Sequence, residues 1–274
     1  MWLALTLALT ITFADAARPL SFRLLEDGAI VVPVWVQGQG PFRFLLDTGA
    51  SQSVIAEPLA RRLHVAPRGR TSMVTPSGDR RSFAIGRLSR ITVGAVMAAD
   101  VAVTIVPADT LRSGATIDGI VGQDVLGRVV YTIDYRRRAI IWGSSEATSG
   151  IRLPLDVRQG RVLVTLRQTG EPESLRLVPD SGTDGLVLFA RAGRRLPAAT
   201  PLEVGVLRTV SGHRLVRRVL IDTFSAGGLR FQNLTAVVVP RADADGPDGD
   251  GLLPLHIFSG VTFNVPENFL VLQR

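Results

Sequence analysis

The feature that most constrains this chain is that it repeats itself. Phe44-Leu45-Leu46-Asp47-Thr48-Gly49-Ala50 is matched later by Leu177-Val178-Pro179-Asp180-Ser181-Gly182-Thr183. Thr75-Pro76-Ser77-Gly78-Asp79-Arg80 is matched by Thr209-Val210-Ser211-Gly212-His213-Arg214. Ala102-Val103-Thr104-Ile105-Val106-Pro107 resembles Ala236-Val237-Val238-Val239-Pro240, and Asp118-Gly119-Ile120-Val121-Gly122 resembles Asp250-Gly251-Leu252-Leu253-Pro254. The matches come in the same order, at offsets that agree to within two residues. So long a period exceeds any stacking repeat, and each copy is a lobe in its own right. A chain of 274 residues has room for two such lobes. The small, polar run Gly143-Ser144-Ser145-Glu146-Ala147-Thr148-Ser149-Gly150 has the composition of a linker. The reading is therefore a first lobe over 17–142, a linker over 143–150 and a second lobe over 151–274.

The lobes read as mainly β. Short Val-, Ile- and Thr-rich runs are broken by Gly and Pro, which is the pattern of many short strands. Ala29 to Val36 and Pro41 to Leu46 are apolar runs, and Gln37-Gly38-Gln39-Gly40 between them suits a hairpin. Ser82 to Val106 reads as two or three strands, and Val129 to Trp142 as a closing hairpin. Glu57 to Leu63 is expected to be a short helix with Pro58 near its start, where the missing N–H does little harm. Gly122 to Leu126 is expected to be one helical turn. The second lobe should follow the same order.

The first residues bear on compartment. Trp2 to Phe13 is apolar and ends at Ala14-Asp15-Ala16, a short hydrophobic stretch with an A-x-A pattern. It is too short to cross a bilayer as a helix. It reads as a signal peptide over 1–16, cleaved after Ala16, with a buried N-terminal segment as the alternative. The chain is expected to be exported, periplasmic or secreted.

An isolated Asp-[Ser/Thr]-Gly triplet is as compatible with a surface turn as with chemistry, since Asp and Gly both favour turns. Here each triplet directly follows an apolar strand, and each is followed by a hairpin with a Ser-Gly tip and then by Asp-Gly and two apolar residues. On these residues, and most closely on Phe44 to Ile55 (FLLDTGASQSVI), the chain resembles the aspartic peptidase clan, in particular bacterial retropepsin-like proteins. The resemblance implies an all-β, two-lobed pepsin-like acid protease fold, each lobe a retropepsin-like β-barrel with one or two short helices. It implies an endopeptidase in which Asp47 and Asp180 form a catalytic pair on loops Thr48-Gly49-Ala50 and Ser181-Gly182-Thr183. Two carboxyls held close share one proton, so that the ionised one activates water and the protonated one acts as acid. No metal or other cofactor is required. Thr48 and Ser181 would lock the loops by hydroxyl hydrogen bonds into the opposite lobe, and Ile120-Val121-Gly122 would pack beneath the first loop. Thr75, Pro76, Ser77 and Gly78 resemble a flap over the substrate, with Ser211 and Gly212 in the same place in the second lobe. With both half-sites on one chain, a monomer suffices, and the partner is a peptide or protein substrate. The alternative is a non-catalytic homologue that binds a peptide or partner in the same cleft.

The second copy departs from the first at three places. Pro179 stands directly before Asp180 and removes a backbone donor, Asp184 stands where the first copy has Ser51, and Pro254 replaces the counterpart of Gly122. These changes are expected to alter the second loop.

Other chemistries find little support. The formal charge of +7 comes from Arg residues scattered singly or in pairs, apart from the run Arg136-Arg137-Arg138, which reads as a hairpin turn; aromatics are only 6%, and no nucleic-acid module is recognisable. There is no cysteine, which excludes disulfides, thiolate metal sites and cysteine nucleophiles. His64, His213 and His256 are isolated and form neither a zinc motif nor a triad. Asp243, Asp245, Asp248 and Asp250 cluster in a Gly-Pro loop, but their spacing is not that of an EF-hand.

Overall fold

The computed structural model describes residues 11–13, 18–74, 80–111, 116–143, 150–167, 174–189, 199–209, 212–226, 228–239 and 249–274. Among these, two sheets account for nearly all regular structure, one of nine strands and one of thirteen. The architecture is the expected two-lobed β fold.

In the first lobe, the strands Ile30–Val36 and Gln39–Leu46 form a hairpin. Its turn is only Gln37-Gly38, both with positive φ (53° and 79°). That is the turn geometry whose twist matches paired strands, and glycine adopts it without strain. Gln39 and Gly40, expected to lie in the loop, begin the next strand. The region 82–106 resolves into two long antiparallel strands, Arg80–Val93 and Val96–Val106. The helix Glu57–Arg62 carries Pro58 in its first turn and buries Leu59 and Ala60. A second short helix covers Gln123–Leu126. The corresponding stretch of the second lobe, after Pro254, makes a turn instead, with the Phe258 N–H donating to the Leu255 carbonyl. Ile11–Phe13 pairs with Val96–Ala98 at one edge of the first sheet. Among the described residues no helix is long and apolar enough to cross a membrane.

The hairpin that closes the first lobe in sequence is shared between the lobes in space. The strands Tyr131–Asp134 and Ala139–Trp142 pair with each other, and Tyr131–Asp134 also pairs antiparallel with Gly260–Asn264 of the second lobe. Gly260–Asn264 in turn forms a hairpin with Phe269–Gln273. Leu20–Ser21 flanks this set on one side and Ile151–Pro154 on the other. The six strands thus read the same from either end, with Thr132 opposite Thr262 at the centre and their hydroxyls 2.8 Å apart. The two hairpin turns also match. Asp134 Oδ1 accepts the Arg137 N–H and Asn264 Oδ1 accepts the Glu267 N–H, while Arg138 and Asn268 both have positive φ. This is a fifth matched pair. Its apolar alternation is conserved in kind while its residues differ, which hides it in the sequence. Tyr131 and Phe263 are fully buried and stack with centroids 5.0 Å apart, joining the lobes through a common core. Each such aromatic contributes about 1.5–3 kcal/mol by burial alone.

Candidate active site

Both repeated motifs converge on one place, and the sequence logic is the same in each lobe. The strand Gln39–Leu46 ends at Asp47, and the strand Ser174–Asp180 ends at Asp180. Each is braced in parallel by the strand that begins at the Asp-Gly motif: Gly119–Val121 beside Phe44–Leu46, and Gly251–Pro254 beside Leu177–Asp180. The motif's aspartate fixes the register. Asp118 Oδ2 accepts the Arg43 N–H at 2.8 Å and the Asp118 N–H returns a bond to the Arg43 carbonyl at 2.8 Å. Asp250 does the same with Arg176, at 2.8 and 2.6 Å. In each case the clamp lies four residues before the aspartate of the site. The glycine is needed because a Cβ on Gly119 would come within 2.5 Å of the Val54 carbonyl, and one on Gly251 would run into that of Val187. Asp250 therefore has a structural task. Asp243, Asp245 and Asp248 lie outside the described residues, among which no three His, Cys, Asp or Glu side chains are grouped to hold a metal.

The two loops are locked to each other. Thr48 Oγ1 donates to the Pro179 carbonyl at 2.8 Å and accepts the Ser181 N–H at 3.0 Å. Ser181 Oγ donates to the Leu46 carbonyl at 2.7 Å and accepts the Thr48 N–H at 3.1 Å. Both hydroxyls are buried, so all four bonds are shielded from water. The geometry is the one expected of Thr48 and Ser181.

Pro179 does not disturb it. The Asp47 N–H bonds Val121 across the parallel ladder, so the residue before Asp47 turns its nitrogen to the other side. In the second lobe the antiparallel ladder on that side stops at Leu177, so no partner awaits a donor from position 179. What the lock uses is the proline's carbonyl.

The carboxyls meet between the loops and share a hydrogen bond. A Cβ on Gly49 would lie 2.7 Å from Asp180 Cγ, and one on Gly182 would lie 3.5 Å from Asp47 Cγ. The two glycines thus leave room for the opposite lobe's acid. Asp47 Oδ1 also accepts the N–H groups of Gly49 and Ala50, at 2.8 and 3.0 Å, whereas Asp180 Oδ1 accepts that of Gly182 at 2.6 Å. Asp180 is buried and Asp47 half-buried. Burial pushes both carboxyls above the ordinary range. For Asp47, the backbone donors and the bond from Asp180 oppose the rise. For Asp180, the charge of Asp47 adds to it, and Asp180 stands well above. Arg161 lowers both. With two backbone donors against one, Asp47 is the better placed of the two to bear negative charge.

Ile120-Val121-Gly122 lies beneath the first loop, as the resemblance implies, and polar groups that the sequence does not announce join it there. The Gly122 N–H donates to Ser53 Oγ at 3.1 Å, and that hydroxyl donates to Asp124 Oδ1 at 2.7 Å. Gln123 Nε2 donates to the Thr48 carbonyl at 2.9 Å. Burial raises Asp124 as well, against the pull of the Ser53 bonds and Arg128. In the second copy Leu255 and His256 occupy the places of Gln123 and Asp124, and the Leu255 N–H donates to the Asp180 carbonyl at 3.2 Å. The second loop is thus held with fewer polar groups, which is where its departures in sequence take effect. Thr183 Oγ1 donates to the Gly185 carbonyl at 3.1 Å, and Asp184 is exposed. Of the flap residues, Thr75, Pro76, Ser77, Gly78 and Ser211 lie outside the described residues. The strands leading to them pair at Val74 with Arg80, and at Thr209 with Gly212.

A family profile described as aspartyl protease matches residues 32–125 and again 164–256, once in each lobe. No curated protein matches the chain. Among solved structures, the chain is similar to Basic 7S globulin from soybean, with a TM-score of 0.52 and 12% identity, covering 97% of this chain and 95% of the other. That likeness is one of fold, over the full length of both lobes. With the profile matched twice and covering more than half of its length, this chain belongs to the aspartyl protease family.

Proposed function

We propose that the protein is an aspartic endopeptidase that hydrolyses peptide bonds with a water activated by Asp47 and Asp180. The observation that carries this reading is the pair of adjoining carboxyls, braced from both lobes. Asp47, with two backbone donors, is the ionised member and takes a proton from water as its oxygen attacks the scissile carbon. Asp180 gives its proton to the carbonyl oxygen. In the tetrahedral diol the C–N bond then breaks, the amine leaves with the proton held by Asp47, and Asp180 recovers one from the diol. The pair ends as it began.

The strands ending at Val74 and beginning at Arg80 support a flap role for 75–78, and the equivalent hairpin supports one for 211–212. The substrate is a peptide or protein, the working form a monomer, and the site of action outside the cytoplasm.

The test is cleavage of a peptide library by wild type, Asp47→Asn and Asp180→Asn across pH, with a hydroxyl-containing transition-state mimic as control. Each variant is expected to lose at least about a thousandfold in kcat/KM, with the double variant no worse than either single one. Wild-type activity should fall as pH rises and Asp180 loses its proton. Unchanged cleavage by Asp180→Asn would sink the mechanism. Peptide binding without cleavage by wild type would favour a cleft used for binding alone.

A further inference from the structure

The two lobes do not present the same charge to the carboxyl pair. The antiparallel ladder between Arg161–Arg167 and Ser174–Asp180 pairs Val164 with Leu177, and the same register sets Arg161 opposite Asp180. Among the described residues, Arg161 is the cation whose charge lowers both aspartates. It begins the strand Arg161–Arg167, which pairs with Ile151–Arg158 through a two-residue turn at Gln159-Gly160. Both turn residues have positive φ, 49° and 76°. A Cβ on Gly160 would lie 3.4 Å from Ser51 Cβ and 3.5 Å from the Ser51 carbonyl oxygen. The turn of the second lobe therefore rests on the loop that carries Asp47 in the first. Arg161 is half-buried, so solvent screens it incompletely. Arg158, across the same turn, is exposed and paired with Asp156 at 2.6 Å.

Among its described residues the first lobe has nothing equivalent. Its corresponding turn ends at Gly28, also at positive φ (80°), and the next residue is the buried Ala29. The other ionisable groups near the pair do not carry positive charge towards it. Burial pushes the Tyr131 and Tyr135 phenols up and keeps both protonated, so neither brings charge to the pair. Asp124 lies behind the first loop, bonded to Ser53 and answered by Arg128.

We propose that Arg161 is a positioning residue of the pair: set opposite Asp180, beside the turn that rests on the first-lobe loop, its guanidinium keeps one of the two carboxyls available as the base from which hydrolysis starts. Burial alone would keep both acids protonated further up the pH scale, leaving no general base in acid. The single cation offsets that on one side of the cleft. The inference rests on the shared-proton reading of Asp47 and Asp180.

The test follows the carboxyls directly. Aspartate 13Cγ shifts of the full chain are titrated for wild type, Arg161→Gln, Arg161→Lys and Arg158→Gln, with peptide cleavage measured alongside. Removing a cation that lowers both acids must raise both apparent pKa values. Arg161→Gln is expected to move the pair upward by about one unit, Arg161→Lys by less than half of that, and Arg158→Gln not measurably. The acid limb of kcat/KM should move with the titration. Arg161→Met, which keeps the aliphatic stem, serves the same purpose if the Gln variant does not fold. A titration unchanged in a folded Arg161 variant overturns the proposal, as does an equal shift in Arg158→Gln. A wild type that titrates as a coupled pair and cleaves nothing removes the peptidase reading and leaves Arg161 standing. A wild type without coupled titration removes both.

Discussion

At the scale of single residues, the site is built from groups that do one thing each. Gly49 and Gly182 occupy equivalent positions yet are not equally constrained. A methyl on Gly49 would meet the Asp180 carboxyl at 2.7 Å, whereas one on Gly182 comes no nearer than 3.2 Å to Asp180 Oδ1. Gly49→Ala must therefore displace an aspartate that is held on all sides. It is expected to abolish cleavage and to cost about 1–3 kcal/mol, read from urea unfolding. Gly182→Ala should retain measurable activity and lose under about 1 kcal/mol. Equal damage from the two would show that the loops relax more freely than their hydrogen bonds imply. Thr48 and Ser181 were legible from the family resemblance, because a hydroxyl at that place has one purpose. Ser53, Gln123 and Asp124 were not, although all three stand within or beside the motifs. Their partners are backbone atoms that only the fold brings near.

At the scale of elements, local order was legible and long-range pairing was not. The helix Glu57–Arg62 and the turn at Gln37-Gly38 follow from Pro58 and from a Gly at a position of positive φ. Both are decided within a few residues. The shared sheet depends on strands far apart in sequence, and alternation alone does not say which strand lies next to which. Its centre offers a clean measurement. The Thr132 and Thr262 hydroxyls face each other at 2.8 Å, and Thr262 is fully buried. Replacing one by Val strands the other's hydroxyl and is expected to cost about 1–2 kcal/mol. Replacing both should cost less than the sum of the singles by about 1 kcal/mol. A strictly additive double-mutant cycle would mean that the two hydroxyls do not bond.

At the scale of the whole molecule, the lobes are joined three ways: by the linker, by the shared sheet and by the Thr48/Ser181 lock. Both aspartates are on one chain, so activity is expected to sediment with the monomer. Native protein from the envelope or medium is expected to begin at Ala17. Loss of residues 1–16 removes the edge strand Ile11–Phe13, which among the described residues pairs with Val96–Ala98. Activity found only in a dimer, or an intact Met1 on most of the native protein, would contradict these expectations.

The one-sided placement of Arg161 has a meaning beyond its charge. In an assembly of two identical halves, any substitution is made twice, and a cation near the axis always arrives with its twin. A pair of arginines would act on the carboxyls from both sides and could not be adjusted singly. Once the halves are tandem segments of one gene, odd numbers become available: Arg161 without a counterpart at Ala29, Asp184 opposite a Ser51, a Gln123 backed in one half by a Leu255. The duplication thus freed this molecule from its own symmetry. Its two halves can drift towards separate duties, one tuning the reaction and the other supporting it, while the strands between them keep the old register.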